Sequence, residues 1–77
     1  MKGNKKMKEK LIKIWEREEK YIHLTKELDG KKAIFNQCFG ALLLAVELDR
    51  SLEYELAKLW MEEWKERLEK QVYGIED

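Results

Sequence analysis

The sequence is poor in residues that break helices or cross-link chains: it has no proline, one cysteine and one histidine in 77 residues. A single cysteine excludes a disulfide within the chain and is typical of a reducing compartment. One cysteine and one histidine also cannot supply the four ligands of a structural zinc site. Because a chain of this length buries only a modest core, we expect its stability to come from helix packing and self-association.

Long apolar runs are also missing. The longest uninterrupted one covers nine residues, 38–46, whereas a transmembrane helix needs about 20. The lysine-rich start is not followed by the apolar segment of a secretory signal. The hydrophobic fraction is nevertheless 44%, which is too high for a disordered chain. The sequence therefore predicts one cytoplasmic domain, residues 1–77, without a transmembrane segment.

The net charge is zero, but the two signs are separated along the chain. Residues 1–15 hold six lysines and one glutamate, residues 16–46 hold five charges of each sign, and residues 47–77 hold ten acids and five bases. The two ends are therefore complementary in charge, which predicts attraction within the fold or between subunits. A basic arm for nucleic acid is the alternative interpretation.

The first predicted helix covers residues 5–28. A stripe of mostly apolar residues recurs along it at alternating four- and three-residue steps, which are typical of a helix that packs on another helix. Glu18 interrupts the stripe, and because an unpaired buried carboxylate is costly, we expect it to meet a lysine or to lie where the seam opens to water, and to specify register. Asp29-Gly30 is expected to end the helix, because glycine adopts the left-handed C-terminal conformation easily. The stripe consists of Met7, Leu11, Ile14, Glu18, Tyr21, Thr25 and Leu28.

The second predicted helix covers residues 32–48 and returns antiparallel, since the connection is short. Apolar residues surround nearly its whole circumference, and only Asn36, Gln37 and Glu47 form a polar strip. Such a helix is buried on several sides. Gly40 permits close approach of another helix, although it costs about 1 kcal/mol relative to alanine. Cys38 is expected to be a buried structural thiol.

The third predicted helix covers residues 52–72 and begins after a break at which Asp49 or Ser51 acts as the cap. One continuous helix from 32 to about 73 is the alternative. The apolar face of the third helix spans more than half of the circumference, wider than one core requires. We therefore predict an all-α fold, a small bundle of two or three antiparallel helices completed by a two-fold homodimer. The predicted interface consists of Phe39, Leu43, Leu56, Trp60, Met61, Trp64 and Leu68.

No spacing in the sequence is typical of an enzyme. Cys38 has no neighbouring base, and His23 is expected to be solvated between Glu19 and Glu27. There is no glycine-rich phosphate loop, and the Glu-x-x-His pairs of metal sites in helical bundles are missing. We therefore predict no catalytic residue, no cofactor and no metal. The leading interpretation is a non-enzymatic interaction module, such as a small regulator, adaptor or phage accessory protein, that binds itself or another protein.

The lysine-rich start supports a second interpretation, a regulator that binds nucleic acid. Lysines in this segment would contact phosphates. Residues that read base edges, such as arginine, do not occur before Arg17. The predicted basic patch consists of Lys5, Lys6, Lys8, Lys10 and Lys13.

One short segment, Thr25-Lys26-Glu27-Leu28-Asp29, resembles the Ser-Gln-Glu-Leu-Asp motif of the small aspartyl-phosphate phosphatases of sporulation signalling, which are helical hairpins. The resemblance covers five of the 77 residues, with threonine in the place of serine. The turn that precedes the motif in that family is missing, and Gly30 follows it here. We therefore do not predict phosphatase activity for this chain.

Overall fold

Three helices make up nearly all of the described chain. The computed structural model describes residues 2–74 and the side chains of residues 6–74, and the described residues form no strand. The predicted all-α class is therefore confirmed. The first helix, α1, is Lys2–Leu24 and the second, α2, is Leu28–Leu48. The third helix, residues 50–73, consists of a 3₁₀ turn at Arg50–Leu52, α3 at Glu53–Leu59, a wide turn at Trp60–Trp64, and α4 at Lys65–Tyr73.

Cross-helix contacts give the directions of the helices. Lys8 pairs with Glu55 and Glu19 pairs with Arg67, at separations of 47 and 48 residues, so α1 and the third helix run parallel. From Phe39 to Lys32 on α2, the aromatic partner on the third helix moves from Trp60 to Tyr73. The second helix is therefore antiparallel to both neighbours. The bundle measures 40 × 21 × 15 Å.

The connection between the first two helices lies earlier than the sequence predicts. The first helix ends at Leu24, and Glu27 has the extended backbone that precedes α2. Thr25 closes the first helix, because its backbone N–H and its hydroxyl both donate to the carbonyl oxygen of Tyr21. The prediction that Asp29-Gly30 ends this helix is therefore wrong.

Gly30 has a steric role instead of a terminating one. It lies in the first turn of α2, where a Cβ atom would come within 2.8 Å of the Cγ2 methyl of Thr25. Real Cβ atoms essentially never approach so closely, so the glycine lets the connection fold back tightly on α2. A glycine chosen for close approach and one chosen for a helix end look identical in a sequence.

The break between the second and third helices is at Asp49. Its backbone is extended, with φ of −150° and ψ of 93°. Its carboxylate accepts a hydrogen bond from the backbone N–H of Ser51, 3.1 Å away, and so caps the next turn. This confirms the break and identifies Asp49, one of the two predicted candidates, as the cap. One continuous helix from 32 to 73 is excluded.

The wide turn in the third helix keeps most of its large apolar residues on one side. The backbone N–H of Lys65 donates to the carbonyl oxygen of Trp60, five residues earlier instead of four. Residues four apart drift by about 40° per step in a regular α-helix. A turn with five-residue hydrogen bonds holds more residues and reverses part of that drift. Five residues at four-residue spacing are therefore all buried: Leu56, Trp60, Trp64, Leu68 and Val72.

The core lies where the three helices meet, and its centre is aromatic. Trp15 is fully buried, and its ring centroid lies 5.3 Å from that of Trp60 and 5.5 Å from that of Trp64. Phe35 of α2 completes the cluster at 5.6 Å from Trp60. Among the described helices, none combines the length and the apolarity needed to cross a membrane. The remaining buried apolar residues are Leu11, Ile22, Cys38, Leu42, Ala45, Leu52, Leu56, Leu59, Leu68 and Val72.

Candidate functional site

The second helix presents an uncovered apolar surface, which we call the exposed face of α2. Its large side chains are Phe39, Leu43, Leu44 and Leu48, which are 43%, 51%, 61% and 69% exposed. Gly40 lies between them and is also exposed. Contiguous apolar surface on a monomer marks a site where another molecule binds.

The opposite side of α2 explains why this face is left open. Cys38, Leu42 and Ala45 are buried against the other two helices. The first and third helices run parallel to each other, and both pack on this one side of α2. Phe35 and three other apolar residues of α2 are partly buried against the core, and the ring of Phe39 lies 6.0 Å from that of Trp60. Among the large apolar side chains of α2, Leu43, Leu44 and Leu48 have the least cover within the described chain.

Polar residues run along the same face. Asn36, Gln37 and Glu47 are exposed, as the sequence predicts for the polar strip. Glu47 accepts a hydrogen bond from Arg50 at 3.1 Å. The exposed face of α2 thus has an apolar body and a charged pair at its C-terminal end, which is the usual composition of a small interface with a polar rim.

The packing of the described chain does not explain the glycine at position 40. A Cβ atom built at this position meets no heavy atom within 4 Å. Glycine in a helix interior is nevertheless about 1 kcal/mol less favourable than alanine. The packing of this chain alone therefore does not explain why α2 contains glycine here.

The structure corrects much of the predicted interface. Leu56, Trp60, Trp64 and Leu68 are between 0% and 5% exposed and belong to the core of the single chain. The sequence suggested surplus surface because a regular helical wheel spreads them widely, whereas the wide turn at Trp60–Trp64 gathers them on one side. These four side chains are not available to a partner.

The other three predicted interface residues are exposed. Phe39 and Leu43 belong to the exposed face of α2, and Met61 is 63% exposed on the third helix. The sequence reasoning missed Leu44 and Leu48. Their signal was present, because both are apolar positions beside the polar strip on the wheel of α2.

Glu18 is buried, as its place in the stripe predicts, and its partner is an arginine instead of the expected lysine. The residue is 8% exposed, and its Oε1 accepts hydrogen bonds from Nη2 of Arg17 at 3.2 Å and Nε of Arg17 at 3.4 Å. Arg17 is the next residue on the same helix, so this pair does not itself join two helices in register.

A stronger charged link between helices involves the next residue, Glu19. Its two oxygens accept from Nε and Nη2 of Arg67 at 2.6 and 2.7 Å. This hydrogen bond raises the pKa of Arg67. The guanidinium also lies 4.5 Å from the ring of Trp64. Such planar two-point pairing specifies geometry as well as charge. The sequence contains no signal for it beyond the opposite charges of two residues that are 48 positions apart.

Cys38 is a buried thiol, as predicted. It has no exposed surface, and the backbone carbonyl of the same residue accepts a hydrogen bond from the indole N–H of Trp15 at 3.0 Å. Burial first, and then the charges of Glu18 and Glu19, raise the pKa of the thiol to about 12. A nucleophilic cysteine needs the opposite shift, so this thiol is poorly suited to catalysis.

The predicted basic patch is partly present. Lys6, Lys10 and Lys13 are exposed on α1. Lys8 instead pairs with Glu55 of the third helix at 3.2 Å, and the side chain of Lys5 lies outside the described residues. Arg17 and Lys20 are also exposed and continue the helical spacing of the first three. We call these residues the basic stripe of α1: Lys6, Lys10, Lys13, Arg17 and Lys20.

A groove of about 720 Å³ lies where exposed His23 meets the third helix and the start of α2. Its lining carries both signs of charge, including Glu66 and Lys70, which pair with each other at 3.7 Å. No group of three or more acidic, histidine or cysteine side chains within residues 6–74 is arranged to hold a metal ion. The groove is lined by polar and charged side chains of both signs, so we assign it no ligand.

No protein-family model matches the chain, and neither a curated protein nor a solved structure matches it.

Proposed function

We propose that this protein is a non-enzymatic helical interaction module that self-associates through the exposed face of α2. One observation carries the proposal: four large apolar side chains of one helix are each between 43% and 69% exposed. Burying such side chains is worth roughly 1.5–3 kcal/mol for each one taken fully out of water. The monomer leaves this gain unused.

The proposal commits to a second copy of the chain as partner. Two-fold association places the same face of both copies in contact, so one surface completes both subunits. The net charge of the chain is zero, so copies approach one another without long-range repulsion. A small chain with a modest core also gains most from an added interface.

Sedimentation velocity over a wide concentration range tests this proposal. We expect a monomer of 9.3 kDa at low concentration and a species of twice that mass at high concentration. Concentrations from about 1 μM to about 1 mM cover association free energies from about −8 to about −4 kcal/mol. A clean monomer throughout this range would overturn the proposal.

Matched variants connect the association to the exposed face of α2. We expect Leu43→Glu and Leu44→Glu to abolish the heavier species, because each places a charge in the apolar contact. Tyr54→Glu is the control, since Tyr54 is 78% exposed on the third helix. Circular dichroism should show unchanged helicity in all three variants. Equal loss of the dimer in the control would mean that another surface is responsible.

The basic stripe of α1 favours a second candidate function, nucleic-acid binding. Its five cations follow steps of four and three residues and are exposed on one helix. Phosphate contacts weaken steeply as salt rises. Fluorescence anisotropy with a short DNA duplex, for Lys10→Glu and Lys13→Glu against the control Lys58→Glu, tests this candidate. Salt-sensitive binding that only the first two variants lose supports it, and no binding at low salt removes it.

A further inference from the structure

Resting on the second candidate function, we infer that the basic stripe of α1 binds the phosphate backbone of double-stranded nucleic acid without reading its sequence. The basic stripe lies on α1, so this contact is separate from the proposed self-association through α2. The alignment of its cations, the unpaired state of its lysines and the side chains that are missing from it support the inference.

The five cations of the basic stripe form a nearly straight row. They recur at steps of four, three, four and three residues from Lys6 to Lys20. At about 100° per residue these positions cover about 80° of the helix circumference, and the row spans about 21 Å along the helix axis. All five residues are exposed. The row therefore presents its charges together to one elongated surface.

Most of the row is not neutralised by the chain itself. The four lysines of the basic stripe form no ion pair with any carboxylate of residues 6–74. Arg17 pairs with Glu18 at 3.2 Å, yet its side chain is 61% exposed. Lys8, which lies on another side of α1, is instead paired with Glu55. Unpaired ammonium groups on one side of a helix attract a partner of negative charge.

The side chains that are missing from the basic stripe point to the backbone of a duplex. Adenine is read by asparagine or glutamine, and the basic stripe contains neither. Single strands are bound by exposed aromatic rings, whereas Trp15, the one aromatic residue between Lys6 and Lys20, is fully buried. Lysine binds phosphate as a point charge. A duplex, with about one negative charge per 1.7 Å of its axis, suits such a row.

An anionic membrane surface fits the basic stripe less well. Helices that lie on a membrane bury an apolar face in the lipid. The apolar face of α1 is in the core of the bundle, where Leu11, Trp15 and Ile22 are at most 2% exposed. Tyr21 and Leu24 are exposed, but they lie beyond the end of the basic stripe. A lipid surface would therefore meet the row mainly through charge.

Fluorescence anisotropy with two DNA duplexes of unrelated sequence, measured at several salt concentrations, tests the inference. We expect the two affinities to agree within about twofold, since phosphates are common to all sequences. The logarithm of the binding constant should fall against the logarithm of the salt concentration with a slope of about −3.6, for four lysine contacts at about 0.9 each. A preference of about tenfold for one duplex, or tighter binding of a single strand of the same length, would overturn the inference.

A lysine variant connects this slope to the basic stripe. Lys13→Gln should make the slope shallower by about 0.9, because one phosphate contact is lost. Lys58→Gln is the control, since Lys58 is exposed on the third helix, and it should leave the slope unchanged. Circular dichroism should show the same helicity for both variants. An equal change of slope in the two variants would place the contact elsewhere and overturn the inference.

The carboxylates beside the basic stripe provide a readout of opposite sign. Glu9 and Glu16 are exposed, and both lie within about 40° of Lys20 on the helical wheel. Replacing both by glutamine should tighten duplex binding about twofold, because their repulsion of the phosphates is removed. Glu53→Gln combined with Glu69→Gln changes the net charge equally on the third helix and is the control. Equal tightening by the two double variants would overturn the placement of the duplex on the basic stripe.

These outcomes separate the mode of binding from nucleic-acid binding itself. If neither duplex binds at low salt, the second candidate function fails and this inference fails with it. If a duplex binds with a clear sequence preference, the candidate function stands and the backbone mode fails. Binding to vesicles that contain phosphatidylserine, without binding to a duplex, would assign the basic stripe to a membrane and overturn both.

Discussion

Trp15 is the residue at which all three helices meet. Its ring packs on Trp60 and Trp64 of the third helix, and its indole N–H donates to the carbonyl oxygen of Cys38 on α2. One side chain of α1 therefore supplies both an aromatic contact with the third helix and a buried hydrogen bond to α2.

We expect Trp15→Phe to lower the free energy of unfolding by about 2 kcal/mol. The variant loses a buried hydrogen bond worth about 1 kcal/mol, and the smaller ring leaves a cavity. Urea unfolding followed by circular dichroism measures the change. Tyr54→Phe, at a residue 78% exposed, is the control and should stay within about 0.5 kcal/mol of the wild type. Equal stability of the two variants would contradict the role of Trp15.

Cys38 should make the fold sensitive to alkaline pH. An ordinary thiol loses its proton near pH 9, whereas burial and the charges of Glu18 and Glu19 raise the pKa of Cys38 to about 12 in the folded chain. Between these values the unfolded chain binds fewer protons than the folded one, so stability falls as pH rises. The contribution is fully present below about pH 9 and is lost towards about pH 12.

Comparison of the wild type with Cys38→Ala isolates this effect, since the other titrating groups are common to both. We expect the wild type to lose up to about 1.4 kcal/mol more per pH unit above about pH 9. Urea unfolding at about pH 8 and about pH 10 measures the difference. Parallel pH dependence of the two proteins would show that the thiol is not buried in the folded chain.

At the scale of elements, the connection between α1 and α2 depends on the contact of Gly30 with Thr25. We expect Gly30→Ala to lower the free energy of unfolding by about 1 kcal/mol, because the clash at 2.8 Å outweighs the gain in helix propensity. In a Thr25→Ser background, which removes Cγ2 and keeps the hydroxyl, the same change should be neutral or stabilising. A cost that is equal in both backgrounds would exclude this contact as its cause.

The sequence predicts the elements better than their ends. The three helices and the break near Asp49 could be predicted, because apolar periodicity and a capping side chain are local signals in the sequence. The end of α1 was misplaced because Gly30 is required by a contact across the connection. No particular residue type marks the wide turn at Trp60–Trp64 in the sequence. A regular helical wheel therefore overestimated the exposed apolar surface of the third helix.

The candidate site was predictable only in part for the same reason. Phe39 and Leu43 were identified because α2 is apolar nearly all round. Leu44 and Leu48 were missed, since the wheel does not say which side the other two helices cover. That choice follows from the packing of α1 and the third helix together, which is a property of the tertiary structure.

At the scale of the whole molecule, self-association predicts that thermal stability depends on protein concentration. Binding that occurs only in the folded state raises the unfolding midpoint by mass action. We expect the midpoint of the wild type to rise by several degrees over a hundredfold increase in concentration. The midpoint of Leu44→Glu should stay constant. A constant midpoint for both proteins would contradict the dimer.

The charges of the chain connect its ends within one copy. Lys8 with Glu55 links α1 to the third helix, as the separation of signs along the sequence predicts. Glu19 with Arg67 links the same helices with the opposite order of signs. The first pair is exposed and contributes little. The basic stripe of α1 and the exposed glutamates of the third helix add charged surface beside the exposed face of α2.

The tryptophan cluster provides an optical reporter of the bundle. All three tryptophans of the chain lie in one contact group, so their emission and near-ultraviolet dichroism respond together when the helices separate. The cluster is buried, whereas self-association would take place at the exposed face of α2. Fluorescence should therefore follow unfolding and remain nearly silent to dimer formation, which lets the two equilibria be measured in one sample with two detectors.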